Sequence, residues 1–233
     1  MAITLSGNNP QQNNPNTNSG GISLSTQPTT QPTMSAQPVS GGRISLSKGQ
    51  KVSLTKQAPG LNNILVGLGW DTNRYDGGQD FDLDASVFML GENGKVPSDA
   101  EFIFFNQKTH SSGCIEHMGD NRTGEGAGDD EVININLSKV PSNINKIVFV
   151  VTIYDAQNRR QNFGQVENSY IRLVNADTNI ETLRFDLGED FSIENSVNVA
   201  EIYRHNGEWK FNAVGAGYAN GLEGFAINYG VNL

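Results

Sequence analysis

The sequence predicts an all-β protein, a β-sandwich of two mainly antiparallel sheets with a few short helical turns. Three observations support this fold class. Short segments with alternating or continuous apolar residues recur after Arg43, turn-forming residues separate them at regular spacing, and helical periodicity is scarce. The chain of 233 residues is long enough for such a domain to bury an ample core.

The strand segments are predicted from β-branched and aromatic residues between turn signals. The β-branched run 146–154 has no polar alternation, which is typical of a strand buried on both faces. Asn206-Gly207 predicts a tight hairpin and Asn93-Gly94 a second turn. Helical turns are expected at 138–144 and 163–168. The predicted strands are 51–55, 64–70, 81–90, 101–105, 131–137, 146–154, 169–174, 181–187, 197–205 and 208–214.

The first part of the chain differs in composition from the rest. Residues 1–42 contain no charged residue and no histidine, and consist mainly of Asn, Gln, Pro, Ser, Thr and Gly. Such a segment buries too little apolar surface to fold, so we expect disorder there and a single domain at 43–233. Two short copies, Ile3-Thr4-Leu5-Ser6 and Ile22-Ser23-Leu24-Ser25, resemble Ile44-Ser45-Leu46-Ser47, where the ordered sequence begins.

Charge and cysteine content exclude several function classes. The net charge of −9 argues against nucleic acid and against anionic membranes as partners. No apolar run is long enough to span a bilayer, and the N-terminus lacks the pattern of a signal peptide. Cys114 is the single cysteine, which excludes an intrachain disulfide and a thiolate metal cage. These features predict a cytoplasmic protein.

Acidic residues are concentrated in two glycine-containing segments. The first spans residues 119–131 and reads GDNRTGEGAGDDE. The second spans residues 70–84, where Asp80, Asp82 and Asp84 alternate with Phe81 and Leu83. In a strand this alternation places the three carboxylates on one face and the apolar side chains on the other.

Oxygen ligands without cysteine or histidine favour a hard cation, and Ca2+ suits flexible, glycine-rich loops better than Mg2+ does. The spacing is not that of an EF-hand, and the charges would repel phosphate. The alternative, that both segments are solvated surface loops, stays open. The candidate metal ligands are Asp71, Asp80, Asp82, Asp84, Asp120, Asn121, Glu125, Asp129, Asp130 and Glu131.

From Arg43 to the C-terminus the chain resembles the TerD family of tellurium-resistance and stress-response proteins. The resemblance rests on the stretches LGWD at 68–71, FDLDASVFML at 81–90, GDNRTGEGAGDDE at 119–131, FVVTIYDA at 149–156, RRQNFGQVENSYIRL at 159–173 and EIYRHNGEWKFNAVGAGY at 201–218. It implies a calcium-binding β-sandwich without established catalytic activity, acting as a stress-response or signalling adaptor. Its partners would be other proteins, including TerD-like paralogues.

Some eukaryotic relatives are described as cyclic-AMP-binding proteins, and the uncharged prefix departs from the bacterial pattern. A cyclic nucleotide is therefore an alternative ligand, and Arg159, Arg160, Gln161 and Gln165 are its expected site because arginine suits phosphate geometry. Catalysis is not expected, since the acidic motifs hold no histidine or lysine. An acidic face would not bind the tellurite anion directly. The three histidines, His110, His117 and His205, are expected at the surface or in turns.

Overall fold

The computed structural model describes residues 42–72, 81–119, 128–188 and 191–232. Within these ranges the chain forms two six-stranded sheets that pack face to face, joined by loops and a few short helices. The predicted all-β sandwich is confirmed. The strands are β1 Ile44–Leu46, β2 Lys51–Ser53, β3 Asn63–Thr72, β4 Leu83–Leu90, β5 Phe102–Ile103, β6 Ile115–His117, β7 Glu131–Asn136, β8 Lys146–Ile153, β9 Val166–Asn175, β10 Ile180–Asp186, β11 Ser196–His205 and β12 Glu208–Tyr218.

Each sheet combines strands that are distant in sequence. The first sheet has the order β1-β10-β9-β3-β7-β6, and the second has the order β2-β12-β11-β8-β4-β5. The pairing of β1 with β10 is parallel, and the other strand pairs are antiparallel. The chain therefore crosses between the sheets several times. The start of the acidic segment 70–84, in β3, lies beside the end of the acidic segment 119–131, in β7.

Strand β8 shows how the core is organised. Ile147, Phe149 and Val151 pack between the two sheets, where they belong to the main apolar cluster. Val148 and Val150 point to the opposite face and pack with Phe225 of a C-terminal helix. The strand is thus buried on both faces, as its continuous β-branched sequence predicts.

The helices are short, and several local signals set their ends. They are α1 Leu54–Gln57, α2 Ala156–Arg159 and α3 Gly221–Tyr229, with 3-10 turns at Asp99–Glu101, Leu137–Lys139 and Phe163–Gln165. The predicted strand 51–55 ends early because the Ser53 side chain accepts a hydrogen bond from Lys56 N and caps α1. None of the helices in the described ranges combines the length and apolar character that a membrane span requires.

The predicted tight turns are confirmed. Asn206 and Gly207 both have left-handed backbone, with φ of 53° and 74°, and connect β11 to β12. This is the conformation for which an Asn-Gly pair is favoured in two-residue hairpins. At the other turn, Gly94 has a φ of 73° and donates its N–H to the Gly91 carbonyl at 3.1 Å.

Candidate metal site

Six of the ten predicted ligands lie in the described part of the chain: Asp71, Asp82, Asp84, Asp129, Asp130 and Glu131. The other four, Asp80, Asp120, Asn121 and Glu125, lie outside the described residues, so their part of the prediction stays a prediction. The six described residues divide into four groups, which lie in different parts of the sandwich.

The first group is Asp71 with Asp130, at the C-terminal end of β3. The Trp70 N–H donates to Asp130 Oδ2 at 2.8 Å, and the Asp130 N–H donates to the Leu68 carbonyl at 2.8 Å. Asp71 is exposed, and its Oδ2 accepts a hydrogen bond from Asn168 Nδ2 at 2.7 Å. Burial raises the pKa of Asp130, and the charges of Asp71 and Asp129 raise that pKa further against the hydrogen bond from Trp70. Like charges therefore meet at this end of β3.

The second group is Asp129, which has a cationic partner within the protein. Arg172 of β9 donates from Nε to Oδ1 at 2.7 Å and from Nη2 to Oδ2 at 2.9 Å. The Tyr170 hydroxyl donates to Oδ1 at 3.0 Å, and the Asp129 side chain is only 6% exposed. This two-point ion pair satisfies both carboxylate oxygens and fixes the residue on the outer face of the first sheet.

Two glycines of β3 create the space for this ion pair. A Cβ on Gly67 would lie 2.1 Å from Asp129 Oδ2, and a Cβ on Gly69 would lie 2.4 Å from the Tyr170 ring. No other residue fits there without displacing Asp129 or Tyr170. The alternation of glycine with Leu68 and Trp70 in the sequence was the available signal for this arrangement, and sequence reasoning missed it.

The third group is Glu131, which faces the interior of the sandwich. Its side chain is 1% exposed, and Oε2 lies 3.2 Å from His117 Nε2. The same His117 nitrogen lies 3.1 Å from the carbonyl of Ala85 in the opposite sheet, while His117 Nδ1 accepts a hydrogen bond from Gly119 N at 3.2 Å. Because Nδ1 accepts, the proton lies on Nε2, which can donate to Ala85. His117 therefore links β6, β7 and β4.

The expectation of surface or turn positions for the histidines was wrong for His117, which is 2% exposed and lies in β6. His110 is only 4% exposed but begins a turn, in which its carbonyl accepts a hydrogen bond from Gly113 N at 2.8 Å, and His205 is exposed as expected. His110 Nδ1 lies 2.8 Å from Ser112 Oγ and 3.5 Å from Cys114 Sγ. Burial raises the pKa of the Cys114 thiol, so this cysteine is poorly suited to act as a thiolate ligand.

Asp82 and Asp84 lie at the second sheet. Phe81 and Leu83 are buried in the main core, as the alternation predicts, and both aspartates are partly exposed. Asp84 pairs with Thr152 of β8 and alternates with Leu83 and Ala85, so it lies on the outer face of this sheet. Asp129 lies on the outer face of the other sheet.

Within the described ranges, no three side chains of His, Cys, Asp or Glu are grouped so that they could hold a metal ion. The donor chemistry nevertheless fits a hard cation, because the carboxylate charges of Asp71 and Asp130 interact at the C-terminal end of β3, and Asp130 closely follows the acidic segment 120–127 in sequence. They would hold an ion only with oxygens from residues outside the described ranges.

Two glycines with unusual backbone conformation bracket that acidic segment. Gly119 has a φ of 134° and Gly128 a φ of 131°, a region that residues with a Cβ rarely adopt. The Gly119 N–H donates a hydrogen bond to His117 Nδ1 at 3.2 Å, and the Gly128 carbonyl accepts one from the Tyr170 hydroxyl at 3.0 Å. Both ends of the segment are thus fixed to the first sheet.

A separate surface cavity of about 420 Å³ lies beside α2. Arg160, Gln161 and Asn162 line it together with Ile193, which is 73% exposed. Two other residues of the predicted nucleotide site have different contacts: Arg159 lies over the Tyr154 ring at 5.0 Å, and Gln165 Oε1 accepts a hydrogen bond from Asn162 N at 3.0 Å.

The fold and these loops define the class of protein: an all-β sandwich with one acidic segment between β3 and β4 and another before β7. The chain matches the TerD domain over residues 43–229, and it belongs to the TerD family. General stress protein 16U of Bacillus subtilis is 59% identical over 190 residues, covering 82% of this chain and 98% of that protein. The tellurium resistance protein TerD of Serratia marcescens is 60% identical over 189 residues, covering 81% and 98% respectively.

Solved structures agree on the fold. A homologue of telluride resistance protein (TerD) from Streptomyces coelicolor superposes with a TM-score of 0.56 at 22% identity, covering 72% of this chain and 96% of that chain. At this identity the likeness supports the sandwich architecture and nothing more specific.

Proposed function

We propose that this TerD-family protein is a Ca2+-binding stress-response adaptor without enzymatic activity. The names of the Bacillus and Serratia relatives support the stress-response and tellurium-resistance context. The observation that carries the calcium assignment is the position of the Asp71 and Asp130 carboxylates at the C-terminal end of β3. Burial raises the pKa of Asp130, and repulsion from the charges of Asp71 and Asp129 raises it further. A bound divalent cation would offset this repulsion.

The described candidate residues have different roles in the proposed calcium site. Asp71 and Asp130 are the described residues best placed to contribute oxygens, because their charges interact at the C-terminal end of β3. Asp129 acts as an anchor, because Arg172 and Tyr170 already engage its carboxylate. Glu131 supports the loop from inside the sandwich through His117.

A calorimetric titration of the full chain with Ca2+, after removal of metal by a chelator, tests the proposal. We expect saturable binding of Ca2+, weaker binding of Mg2+, and little binding of Zn2+, because the donors are oxygens. At a hundredfold excess over Kd, binding should stabilise the folded state by about 2.7 kcal/mol. This corresponds to a rise of roughly 5–10 °C in Tm.

The double variant Asp71→Asn/Asp130→Asn should lose the Ca2+-dependent shift in Tm. Asp177→Asn is the matched control, since its carboxylate is exposed and accepts a hydrogen bond from Asn63, at the opposite end of β3 from Asp71. A parent melting curve that millimolar Ca2+ leaves unchanged would show that the acidic segments are solvated surface.

A second candidate function is cyclic-nucleotide binding at the cavity beside Arg160. Its volume of about 420 Å³ falls in the range of small-ligand sites, and Arg160 offers a cation for a phosphate. Binding of labelled cyclic AMP to the full chain, with and without Ca2+, tests this candidate. Saturable binding should be lost in Arg160→Gln and retained in Arg204→Gln, whose guanidinium lies over Trp209.

A further inference from the structure

The first strand of the domain is held by a short backbone pairing and by two apolar side chains. Strand β1, Ile44–Leu46, lies at the edge of the first sheet and pairs in parallel with β10, so that Ile44 faces Leu183 and Leu46 faces Phe185. Leu46 is 6% exposed in the main core, and Ile44 packs against the same core. The pairing otherwise uses backbone groups, which any residue except proline provides. A segment with two apolar residues in alternation would satisfy this place beside β10.

The sequence upstream contains such a segment. Ser40-Gly41-Gly42-Arg43 is followed by Ile44-Ser45-Leu46-Ser47, and Ser19-Gly20-Gly21 is followed by Ile22-Ser23-Leu24-Ser25. The two stretches differ only by the presence of Arg43. The second copy therefore repeats every side chain that β1 presents to the core and to β10.

We propose that Ile22-Ser23-Leu24-Ser25 is a spare first strand, which can replace β1 beside β10 within the same chain. Addition of an extended segment to a sheet edge derives its affinity from main-chain hydrogen bonds and its specificity from alternate side chains. Both are the same for the two copies. The partner recognised by this edge is thus a segment of the chain itself.

Several contacts favour the resident strand in the unaltered protein. Arg43 Nη1 lies 3.4 Å from Glu181 Oε1, an exposed ion pair that the copy cannot reproduce because Gly21 stands at that position. The connection from β1 to β2 is a tight turn in which Gly49 N donates to the Ala213 carbonyl at 2.6 Å.

These advantages of the resident strand are modest. An exposed ion pair contributes little, and the entropy of closing the longer loop 26–50 grows only slowly with its length. A single unfavourable substitution in β1 should therefore exchange the two segments.

Leu46→Asp in the full chain is the test, because it places a carboxylate where the resident strand is buried. All variants carry Leu5→Asp, so that the third copy, Ile3-Thr4-Leu5-Ser6, does not compete. The matched variants are Leu24→Asp alone and Leu24→Asp/Leu46→Asp together. Tm, amide hydrogen exchange and molecular mass are measured for each.

We expect Leu24→Asp to have the same Tm as the Leu5→Asp parent. The Tm of Leu46→Asp should lie within a few degrees of the parent's. The Tm of Leu24→Asp/Leu46→Asp should lie roughly 5–10 °C below that of Leu46→Asp, because no copy remains to pair with β10. In Leu46→Asp, the amides of residues 22–24 should gain protection while those of 44–46 lose it. This pattern would also support the proposal if the double variant failed to fold.

Equal loss of Tm in Leu46→Asp and Leu24→Asp/Leu46→Asp would overturn the proposal, as would unprotected amides at 22–24. An unchanged Tm in both would show that the place beside β10 needs no occupant, which also contradicts it. If protection at 22–24 appears only in a dimer, the strand comes from a second chain and the proposed same-chain exchange is wrong.

Discussion

Arg172 donates to both carboxylate oxygens of Asp129, at 2.7 Å from Nε and 2.9 Å from Nη2. The two residues are 43 positions apart in sequence, and their contact joins the end of the acidic segment to strand β9. Arg172 also donates to Glu181 of β10 at 3.1 Å. One guanidinium therefore holds the acidic segment against two neighbouring strands of the first sheet.

Replacing Arg172 with Met should leave the Asp129 carboxylate buried without its countercharge. Removing one partner of a buried pair costs about 3–5 kcal/mol. We expect about 2–3 kcal/mol here, because 30% of the Arg172 side chain stays exposed to water. The free energy of unfolding in urea gives the value. The double variant Asp129→Asn/Arg172→Met should recover part of the loss; a double variant no more stable than Arg172→Met would contradict the pairing.

Gly67→Ala should displace the same carboxylate by steric contact, since the added Cβ would lie 2.1 Å from Asp129 Oδ2. Overpacking of this kind costs typically about 1–3 kcal/mol. Gly188→Ala is the matched control, because nothing lies within 4 Å of a Cβ built there. Equal melting temperatures for the two variants would mean that Asp129 moves aside without loss.

His117→Phe should destabilise the domain by about 2–4 kcal/mol, because it removes the hydrogen bond from Nε2 to the Ala85 carbonyl and the close contact with the buried Glu131 carboxylate. Urea unfolding of His117→Phe and of His205→Phe compares a buried histidine with an exposed one. The control should stay within about 0.5 kcal/mol of the parent. A similarly small change in His117→Phe would show that the buried contact adds little to stability.

Asp130→Asn should raise Tm when Ca2+ is chelated, because burial and the acidic neighbours of Asp130 disfavour its charged form, which asparagine lacks. The asparagine Oδ1 can still accept the hydrogen bond from Trp70. With Ca2+ present the order should reverse, since a ligand oxygen has lost its charge. A Tm in chelator that is lower than that of the parent would argue against repulsion at this site.

The domain should lose stability in alkaline solution between about pH 10 and pH 12. Burial raises the pKa of Tyr229 to about 12, whereas an unfolded tyrosine ionises near about 10. Because the folded pKa is the higher one, the contribution is complete below pH of about 10 and is lost as pH rises through about 12. Urea unfolding of Tyr229→Phe should therefore show a smaller pH slope in this window. Burial also raises the pKa of Tyr170 to about 12, so Tyr170 still contributes to the pH slope in that variant. An unchanged slope would contradict the assignment.

Local pattern was sufficient for the architecture and for most strands. The β-branched run of β8 and the Asn206-Gly207 turn were predicted correctly because each depends on residues adjacent in sequence. Strand β6, Ile115–His117, was missed because three residues show no periodicity. Helix α3 was also missed, since Gly221 and Gly224 lower its intrinsic propensity.

The candidate site was harder to predict because its contacts are non-local. The sequence indicated that Asp129 and Glu131 are acidic residues near a turn, but not that Arg172 and His117 would engage them. Those partners come from β9 and β6, which become neighbours of the acidic segment only when the first sheet assembles. A carboxylate that serves as an anchor cannot be told from one that serves as a ligand by composition alone.

The anchoring of the acidic segment at Gly119 and Gly128 has a thermodynamic consequence. The entropy of bringing the two ends of a loop together is lost once, and here it is lost when the domain folds. A ligand of residues 120–127 would meet ends that are already at their final separation. Its affinity would then depend on how firmly β6 and β9 hold those ends, so that substitutions at His117 or Tyr170 weaken binding without touching the ligand.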